Sequence, residues 1–335
     1  MFTINLYFIF ILINVLNASF PDANNKSVSY KNENILRVVN GVPAKLGDVP
    51  YQLAFKKSMR RSRIYVTFCG GSIIGPTKLL SAAHCFATDQ NACMKMCGSA
   101  ARKDSLSRTY AVAGNLQNHG YRSLIDSEQH GQWRALKNVV FPLTYRFPKD
   151  DIAILWTETP FVYNSYVNSI PIARKKLDYK GECLVSGFGR ISSKETSDKL
   201  NLANLQLIPA RRCNFVHMKN MRRFVCTSSA VTDVERGDSG GPLVCTGTGD
   251  PNEGNKGVQV GIVSGHREGA GSFFTRVSSF YPYIERNKCT KQLDIRLCLL
   301  IVSINTNILI FSFSFIIRVG ILADPVKLFK YIDSL

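Results

Sequence analysis

The chain has 335 residues, of which 45% are hydrophobic, so it can bury a sizeable core in one large or two small domains. It carries 42 Lys and Arg against 24 Asp and Glu residues, a formal net charge of +18. Such an excess attracts anions, but the basic residues are scattered in short clusters outside any nucleic-acid-binding motif. The pattern therefore favours a solvated basic surface and disfavours a nucleic-acid-binding protein.

The N-terminus is typical of a secreted protein. An unbroken apolar run extends from Leu6 to Ile13, the apolar character continues to Leu16, and small residues follow at Ala18 and Ser19. This pattern predicts a signal peptide over residues 1–19, because the run is too short for a comfortable membrane span. Secretion implies an oxidising compartment, so the ten cysteines are interpreted first as disulfide partners.

The segment 20–37 is polar, rich in Asn and free of Cys, which predicts a flexible segment rather than a domain. From Val38 to about Cys289 the residue pattern changes, and short runs of β-branched and aromatic residues are separated by Gly, Pro and Asn. That pattern predicts an all-β barrel or sandwich, followed by a helix near Ser279–Asn287. The clearest strand candidates are Tyr51–Phe55, Ile64–Phe68, Leu184–Ser186, Gly257–Ser264 and Phe273–Val277.

The tail, residues 290–335, has two open interpretations. Leu297 to Ile317 is a stretch of 21 residues without charge, long enough for a transmembrane helix. Its Ser, Thr and Asn side chains would be costly in lipid, which weakens that interpretation. The composition also fits a mistranslated non-coding stretch, so the tail is either a membrane segment or an artefact of the gene model.

The string Gly237-Asp238-Ser239-Gly240-Gly241-Pro242 predicts a nucleophilic serine. A serine hydroxyl is a weak nucleophile at its ordinary pKa, and needs a neighbouring base and a tight backbone that exposes it. Glycines on both sides of Ser239 permit close substrate approach and leave backbone N–H groups free to bind a developing oxyanion.

The base and its partner are predicted from two further strings. Leu80-Ser81-Ala82-Ala83-His84-Cys85 supplies His84, an imidazole that can take the serine proton and return it to a leaving group. Asp150-Asp151-Ile152-Ala153-Ile154-Leu155 supplies Asp151, which directly precedes an apolar strand and can be buried against the imidazole. The other four histidines have no such context.

These three strings, in the order His, Asp, Ser, resemble the trypsin/chymotrypsin family of serine proteases. The resemblance extends from Arg37 to about Cys289 and implies a protease domain over residues 38–289. The implied fold is two six-stranded antiparallel β-barrels packed together, with the triad between them and a short C-terminal helix. No cofactor and no metal are expected.

The resemblance also implies activation by proteolysis. Cleavage after Arg37 would remove residues 20–37 as an activation propeptide and free the amine of Val38. In the family this ammonium pairs with the aspartate before the nucleophile, here Asp238, and orders the oxyanion hole formed by the N–H groups of Gly237 and Ser239. A buried carboxylate needs such a partner charge, so the precursor is expected to be a nearly inactive zymogen.

Three disulfides are implied by the resemblance: Cys69–Cys85, Cys183–Cys245 and Cys213–Cys226. Cys93 and Cys97 form an additional candidate pair within their own loop, and the pairing of Cys289 and Cys298 is left open. A metal site at Cys93 and Cys97 is disfavoured in an oxidising compartment.

Substrate preference is expected to depend on Asp233, six residues before the nucleophile, whose carboxylate would pair with an Arg or Lys side chain. The wall of this specificity pocket departs from the family, because Ser264-Gly265-His266 replaces the usual Ser-Trp-Gly. His266 and Ser272 take two positions that trypsin-like members fill with glycine, and their bulk is expected to narrow the slot. Cleavage after Arg or Lys is the resulting prediction.

The sequence thus predicts a secreted serine endopeptidase, made as a zymogen and working through an acyl-enzyme. The expected partners are protein or peptide substrates, an activating trypsin-like protease and serpin-type inhibitors, with no nucleic acid and a membrane only if the tail is real. Two alternatives stay open. One is a non-catalytic, protease-like binding protein, an alternative based on the unusual pocket wall. The other is a membrane-tethered protease.

Overall fold

A computed structural model of the chain describes residues 41–58, 63–87, 106–189, 196–228, 234, 237–267 and 269–287. Within these ranges the structure is mostly strands, and no helix there has the length and apolarity that crossing a membrane requires. The strands form two sheets, one from each half of the chain, and each sheet closes into a barrel.

The first barrel has six strands in the order β2-β5-β7-β8-β4-β3, and β3 pairs with β2 to close the ring. A further short strand, β6, lies on the outer part of β3. All these pairings are antiparallel. The strands are β2 Gln52–Ser58, β3 Ile64–Ile73, β4 Lys78–Ser81, β5 Thr109–Ala113, β6 His119–Tyr121, β7 Gln132–Val140 and β8 Ala153–Thr157.

The second barrel has the ring order β10-β11-β14-β13-β12-β9, closed by the pairing of β9 with β10. The additional strand β1 comes from the start of the described chain and pairs with β10. The strands are β1 Val42–Pro43, β9 Glu182–Gly187, β10 Asn201–Ile208, β11 Phe224–Thr227, β12 Pro242–Cys245, β13 Val258–Arg267 and β14 Gly271–Arg276. The fold of two six-stranded antiparallel barrels is thereby confirmed, and all five candidate runs overlap strands.

Strand β8 illustrates how the sequence builds this packing. Successive side chains of a strand point to opposite faces. Ala153 and Leu155 enter the core of the first barrel, whereas Ile154 and Trp156 join a cluster that includes Ile262 of the second barrel. Because both faces are buried, the strand reads as a continuous apolar run rather than an alternating one.

In the described part of the chain, two α-helices accompany the barrels. Helix α2, Tyr281–Arg286, confirms the predicted C-terminal helix and carries Ile284 into the cluster between the barrels. Helix α1, Ala210–His217, was not predicted from the sequence. It begins after Pro209 without a side-chain N-cap, so it lacks the usual start signal, and it ends at Met218 in the left-handed conformation.

Candidate active site

Asp151 lies at the entrance to β8, between the two barrels, and is completely buried. Its carboxylate accepts hydrogen bonds from the backbone N–H of His84 (2.9 Å) and from the hydroxyl of Ser264 (2.6 Å). Its own carbonyl accepts a hydrogen bond from the Thr275 hydroxyl (2.7 Å). Strands of the second barrel thus hold Asp151 at two points, with Ser264 on its carboxylate and Thr275 on its backbone carbonyl.

His84 lies in a short 3₁₀ turn after β4, and the Cys69–Cys85 disulfide ties this turn to β3. Its ring Nδ1 is 2.7 Å from the Asp151 carboxylate, and its side chain is 25% exposed. Nδ1 is thereby engaged with the carboxylate, so Nε2 is the ring nitrogen that could take a proton from another group. The ring of Phe147 packs edge-on to the imidazole, with 5.6 Å between centroids.

Ser239 lies in a turn that only glycine neighbours allow. Gly237 and Gly240 have φ values of +111° and +80°, a region that favours glycine. A Cβ on Gly240 would come within 2.2 Å of the Ser81 hydroxyl, and one on Gly237 within 2.9 Å of Gly189 Cα. The Ser239 carbonyl accepts a hydrogen bond from Gly70 N–H of β3 (2.8 Å), which links this turn to the first barrel.

The three side chains of the sequence-predicted triad converge on one cleft. His84 and Ser239 line the same cavity of about 540 Å³, and Asp151 is buried directly behind the imidazole. The remaining wall of the cavity combines Phe147 from the first barrel with residues of the second. The lining residues are His84, Phe147, Val234, Ser239, Val263, Ser264, Gly265 and His266.

Backbone donors are available beside Ser239. The two N–H groups that follow Ser239 in the chain are already hydrogen-bonded: Gly240 N–H donates to Val263 O (2.8 Å) and Gly241 N–H donates to Asp238 O (2.9 Å). By contrast, none of the hydrogen bonds among the described residues uses the N–H of Gly237 or Ser239. Two such N–H groups can bind an oxygen that becomes negative during a reaction.

Asp238 is buried, with 1% of its surface exposed, and its carboxylate accepts a hydrogen bond from Gly189 N–H (2.7 Å). A Cβ on Gly187 would come within 2.0 Å of this carboxylate, and one on Gly189 within 2.2 Å. Sequence reasoning assigned no role to these two glycines. The sequence feature that could have identified them is the pair of glycines separated by one residue, in Gly187-Phe188-Gly189.

The residues predicted for the specificity pocket fall in different places. His266 lines the cleft and is exposed. Ser264 lines it too, but its hydroxyl is directed at Asp151, a contact that sequence reasoning did not foresee. Ser272 is completely buried behind the cleft, where its hydroxyl accepts a hydrogen bond from Val234 N–H (3.4 Å). Asp233 lies outside the described residues.

The pocket wall is a continuous hairpin. Strands β13 and β14 stay paired to their ends, with Gly265 opposite Phe273, His266 opposite Ser272 and Arg267 opposite Gly271. A Cβ on Gly265 would come within 2.5 Å of the Phe273 ring, so a larger residue there would displace that ring.

The structure forms three disulfides among the described residues, and they join the same pairs that the resemblance implies: Cys69–Cys85, Cys183–Cys245 and Cys213–Cys226. Two of these disulfides have a histidine near their sulfurs, His84 and His217. Disulfide sulfurs are not thiolate ligands, so each group offers a single histidine and neither supplies the three protein ligands of a typical metal site.

Several predicted features lie outside the described residues. They are the signal peptide, the activation site at Arg37 and Val38, the Cys93–Cys97 pair, Cys289, Cys298 and the tail.

Comparison with known proteins gives a consistent result. The family model described as Trypsin matches residues 38–284. Transmembrane protease serine 9 of Rattus norvegicus is 30% identical over 219 residues, which is 63% of this chain and 18% of that protein. Venom peptide isomerase heavy chain of Agelenopsis aperta is 27% identical over 219 residues, 62% of this chain and 82% of that protein.

Ovochymase of Halocynthia roretzi is 28% identical over 261 residues, 74% of this chain and 15% of that protein. The chain therefore spans less than a fifth of the length of two of these three relatives.

Proposed function

Because this chain belongs to the trypsin family, we propose that it is a serine endopeptidase in which Ser239, His84 and Asp151 form the catalytic triad. The observation that carries the proposal is the buried Asp151 carboxylate, which holds the His84 ring with Nδ1 as donor beside the cleft that Ser239 lines. A buried ionised side chain is costly, and orienting a base is a functional reason to keep one.

The proposed reaction begins when the Ser239 hydroxyl attacks the substrate carbonyl and its proton passes to His84 Nε2. Asp151 stabilises the imidazolium that results. The carbonyl oxygen becomes an oxyanion, which the N–H groups of Gly237 and Ser239 bind. His84 then donates its proton to the leaving amine, and the peptide bond breaks to give an acyl-enzyme. Water attacks this ester by the same route, releasing the acid and restoring Ser239.

We further propose that the chain is made as a zymogen activated by cleavage after Arg37. The Val38 ammonium would then approach Asp238, which is buried beside Gly187 and Gly189. This is a site where a carboxylate needs a cation. The expected partners are an activating trypsin-like protease and serpin-type inhibitors.

We also propose that the protein is secreted, and the N-terminal apolar run of the sequence supports this. A membrane-tethered protease remains the alternative if the tail is a real segment, and sequencing the transcript across codons 285–335 separates the two.

For specificity we propose cleavage after Arg or Lys, through Asp233. The test is to profile the activated enzyme on a peptide library, beside an Asp233→Ser variant. We expect the variant to lose most of the basic preference, because a carboxylate–cation pair is removed. A wild-type preference for aromatic or small residues would overturn this assignment.

Labelling with a serine-reactive fluorophosphonate, before and after cleavage at Arg37, tests the catalytic proposal. We expect labelling that rises on cleavage and is absent in the Ser239→Ala variant. Equal labelling of wild type and variant, or none of either, would favour the non-catalytic binding protein. One relative is named a peptide isomerase, so mass and chirality of the products should be measured together: hydrolysis changes the mass and inversion does not.

A further inference from the structure

A second cavity, of about 500 Å³, lies on the far side of the β7–β8 connection from the catalytic cleft. Three segments meet there: the end of that connection, the stretch before β9, and the loop between α1 and β11. They contribute five basic side chains, and we name the site they form the basic cavity. These side chains are Lys149, Lys176, Lys219, Arg222 and Arg223.

The acid that lines the basic cavity is already neutralised. Asp150 is 2% exposed, and its carboxylate pairs with the Arg223 guanidinium. It also accepts a hydrogen bond from the Thr144 hydroxyl (2.6 Å). Arg223 is further held over the Phe280 ring, with 5.6 Å to its centroid. The Asp150–Arg223 pair therefore adds no net charge to the lining of the cavity.

The other four cations of the basic cavity have no such compensation. Lys149, Lys176, Lys219 and Arg222 are all exposed, and none takes part in a salt bridge among the described residues. Like charges around a concave surface repel each other and raise the local positive potential. A ligand with several negative charges relieves that repulsion, whereas an isolated anion relieves only part of it. The cavity therefore suits a polyanion.

Two chain segments link the basic cavity to the catalytic cleft. Phe147 lines the cleft against His84, and the next residue, Pro148, lines the basic cavity. On the other side, Arg267 follows His266 of the cleft, and its guanidinium donates to the carbonyl of His217 (3.1 Å). His217 is two residues before Lys219. A chain that lies in the cleft and passes over Phe147 would thus reach the four cations.

We propose that the basic cavity is an exosite that binds an acidic segment of the protein substrate, flanking the bond to be cleaved. A polypeptide is favoured over a free polyanion because the two sites adjoin, and a single ligand that occupies both must be a chain containing the scissile bond. The inference rests on the proposed protease function and adds the class of substrate to it.

The experiment uses peptides that share one cleavage sequence and carry a short run of Glu, or the same run of Gln, on one or the other side of it. We expect a Glu run on one of the two sides to raise kcat/KM about tenfold over its Gln counterpart at low ionic strength, because several weak charge contacts add together. The advantage should shrink toward unity in high salt, which screens exposed charges.

A triple variant tests whether these cations are responsible. Lys149→Gln, Lys219→Gln and Arg222→Gln remove three of the four uncompensated charges and leave Lys176 and the Asp150–Arg223 pair in place. A matched control removes three exposed cations elsewhere: Lys57, Lys137 and Lys256. We expect the first variant to cleave the Gln peptides like the wild type and to lose the Glu advantage, and the control variant to keep it.

The outcomes separate the two proposals. If no peptide is cleaved and fluorophosphonate labelling fails, the protease function itself is wrong. If Glu and Gln peptides are cleaved equally by the wild type at low salt, the exosite is wrong and the protease function stands. Binding of a sulfated polysaccharide through these cations, without any advantage for Glu peptides, also overturns the exosite for acidic substrates. The salt dependence of the wild type provides a reading that is independent of variant folding.

Discussion

Lys56 offers a sharp test of the energetics of the first barrel. This side chain lies on β2 with 1% of its surface exposed. Its ammonium donates to the Gln117 carbonyl (2.6 Å) and lies 5.5 Å from the centroid of the Trp133 ring. Burial lowers the pKa of Lys56 from its ordinary 10.5 to about 8, because the charged form loses solvation.

This lowered pKa makes stability depend on pH. Below pH 8 the folded and unfolded chains both hold the proton, and the folded chain bears the whole cost of the buried charge, about 3 kcal/mol at 1.4 kcal/mol per pKa unit. Between pH 8 and 10.5 the folded chain loses this proton first. The free energy of unfolding therefore rises with pH, by about 2 kcal/mol between pH 7 and 9.5 for this group alone.

The measurement compares urea unfolding of the Ser239→Ala protein, which prevents self-digestion, with the same protein carrying Lys56→Met. We expect the wild-type side chain to gain about 2 kcal/mol relative to Met over that pH range. Subtracting the two curves removes the titration of every other group. Lys57→Met, at the exposed neighbouring position, is the control and should give parallel curves. Parallel curves for Lys56→Met as well would refute the reasoning.

Two further predictions concern the site. Gly189→Ala should abolish hydrolysis and destabilise the fold by about 2 kcal/mol or more, because its Cβ would overlap the Asp238 carboxylate. The control is Gly120→Ala, where a Cβ would meet open space. In the same activity and unfolding assays, this control should change neither hydrolysis nor stability. Ser264→Ala should lower kcat about tenfold and alter the pH–rate profile with little change in KM, because Asp151 loses a charge-assisted donor. An unchanged pH–rate profile would mean that this serine does not act through Asp151.

The sequence was sufficient for features that are encoded locally. The strings around His84, Asp151 and Ser239 identify residues that lie far apart in the chain, and the structure brings all three to one cleft. Short strands were also recognisable from β-branched and aromatic runs. These features can be recognised without three-dimensional information because each depends on a few consecutive residues.

Features that depend on partners from distant strands could not be predicted. Lys56 and Lys57 are identical neighbours in sequence, yet the first is buried and the second exposed. A shift of register between β2 and β3 begins at Phe55 and Lys56, and the ring beside the buried ammonium comes from β7. The sequence of β2 indicates neither the register shift nor the neighbouring ring, so periodicity alone cannot predict which of the two lysines is buried.

The clustering of basic residues is another feature that could not be predicted from the sequence, and it matters for the proposed function. The five cations of the basic cavity come from three separate stretches of chain: Lys149 from one, Lys176 from another, and Lys219, Arg222 and Arg223 from the third. Interpreted linearly, they are scattered surface charges. Folding brings four of them together, without an acidic partner among the described residues, and fixes the fifth on Asp150, the residue beside Asp151. The proposed exosite directs part of the excess charge at the substrate, so neutralising Lys149, Lys219 and Arg222 should lower kcat/KM for acidic substrates more than neutralising Lys57, Lys137 and Lys256.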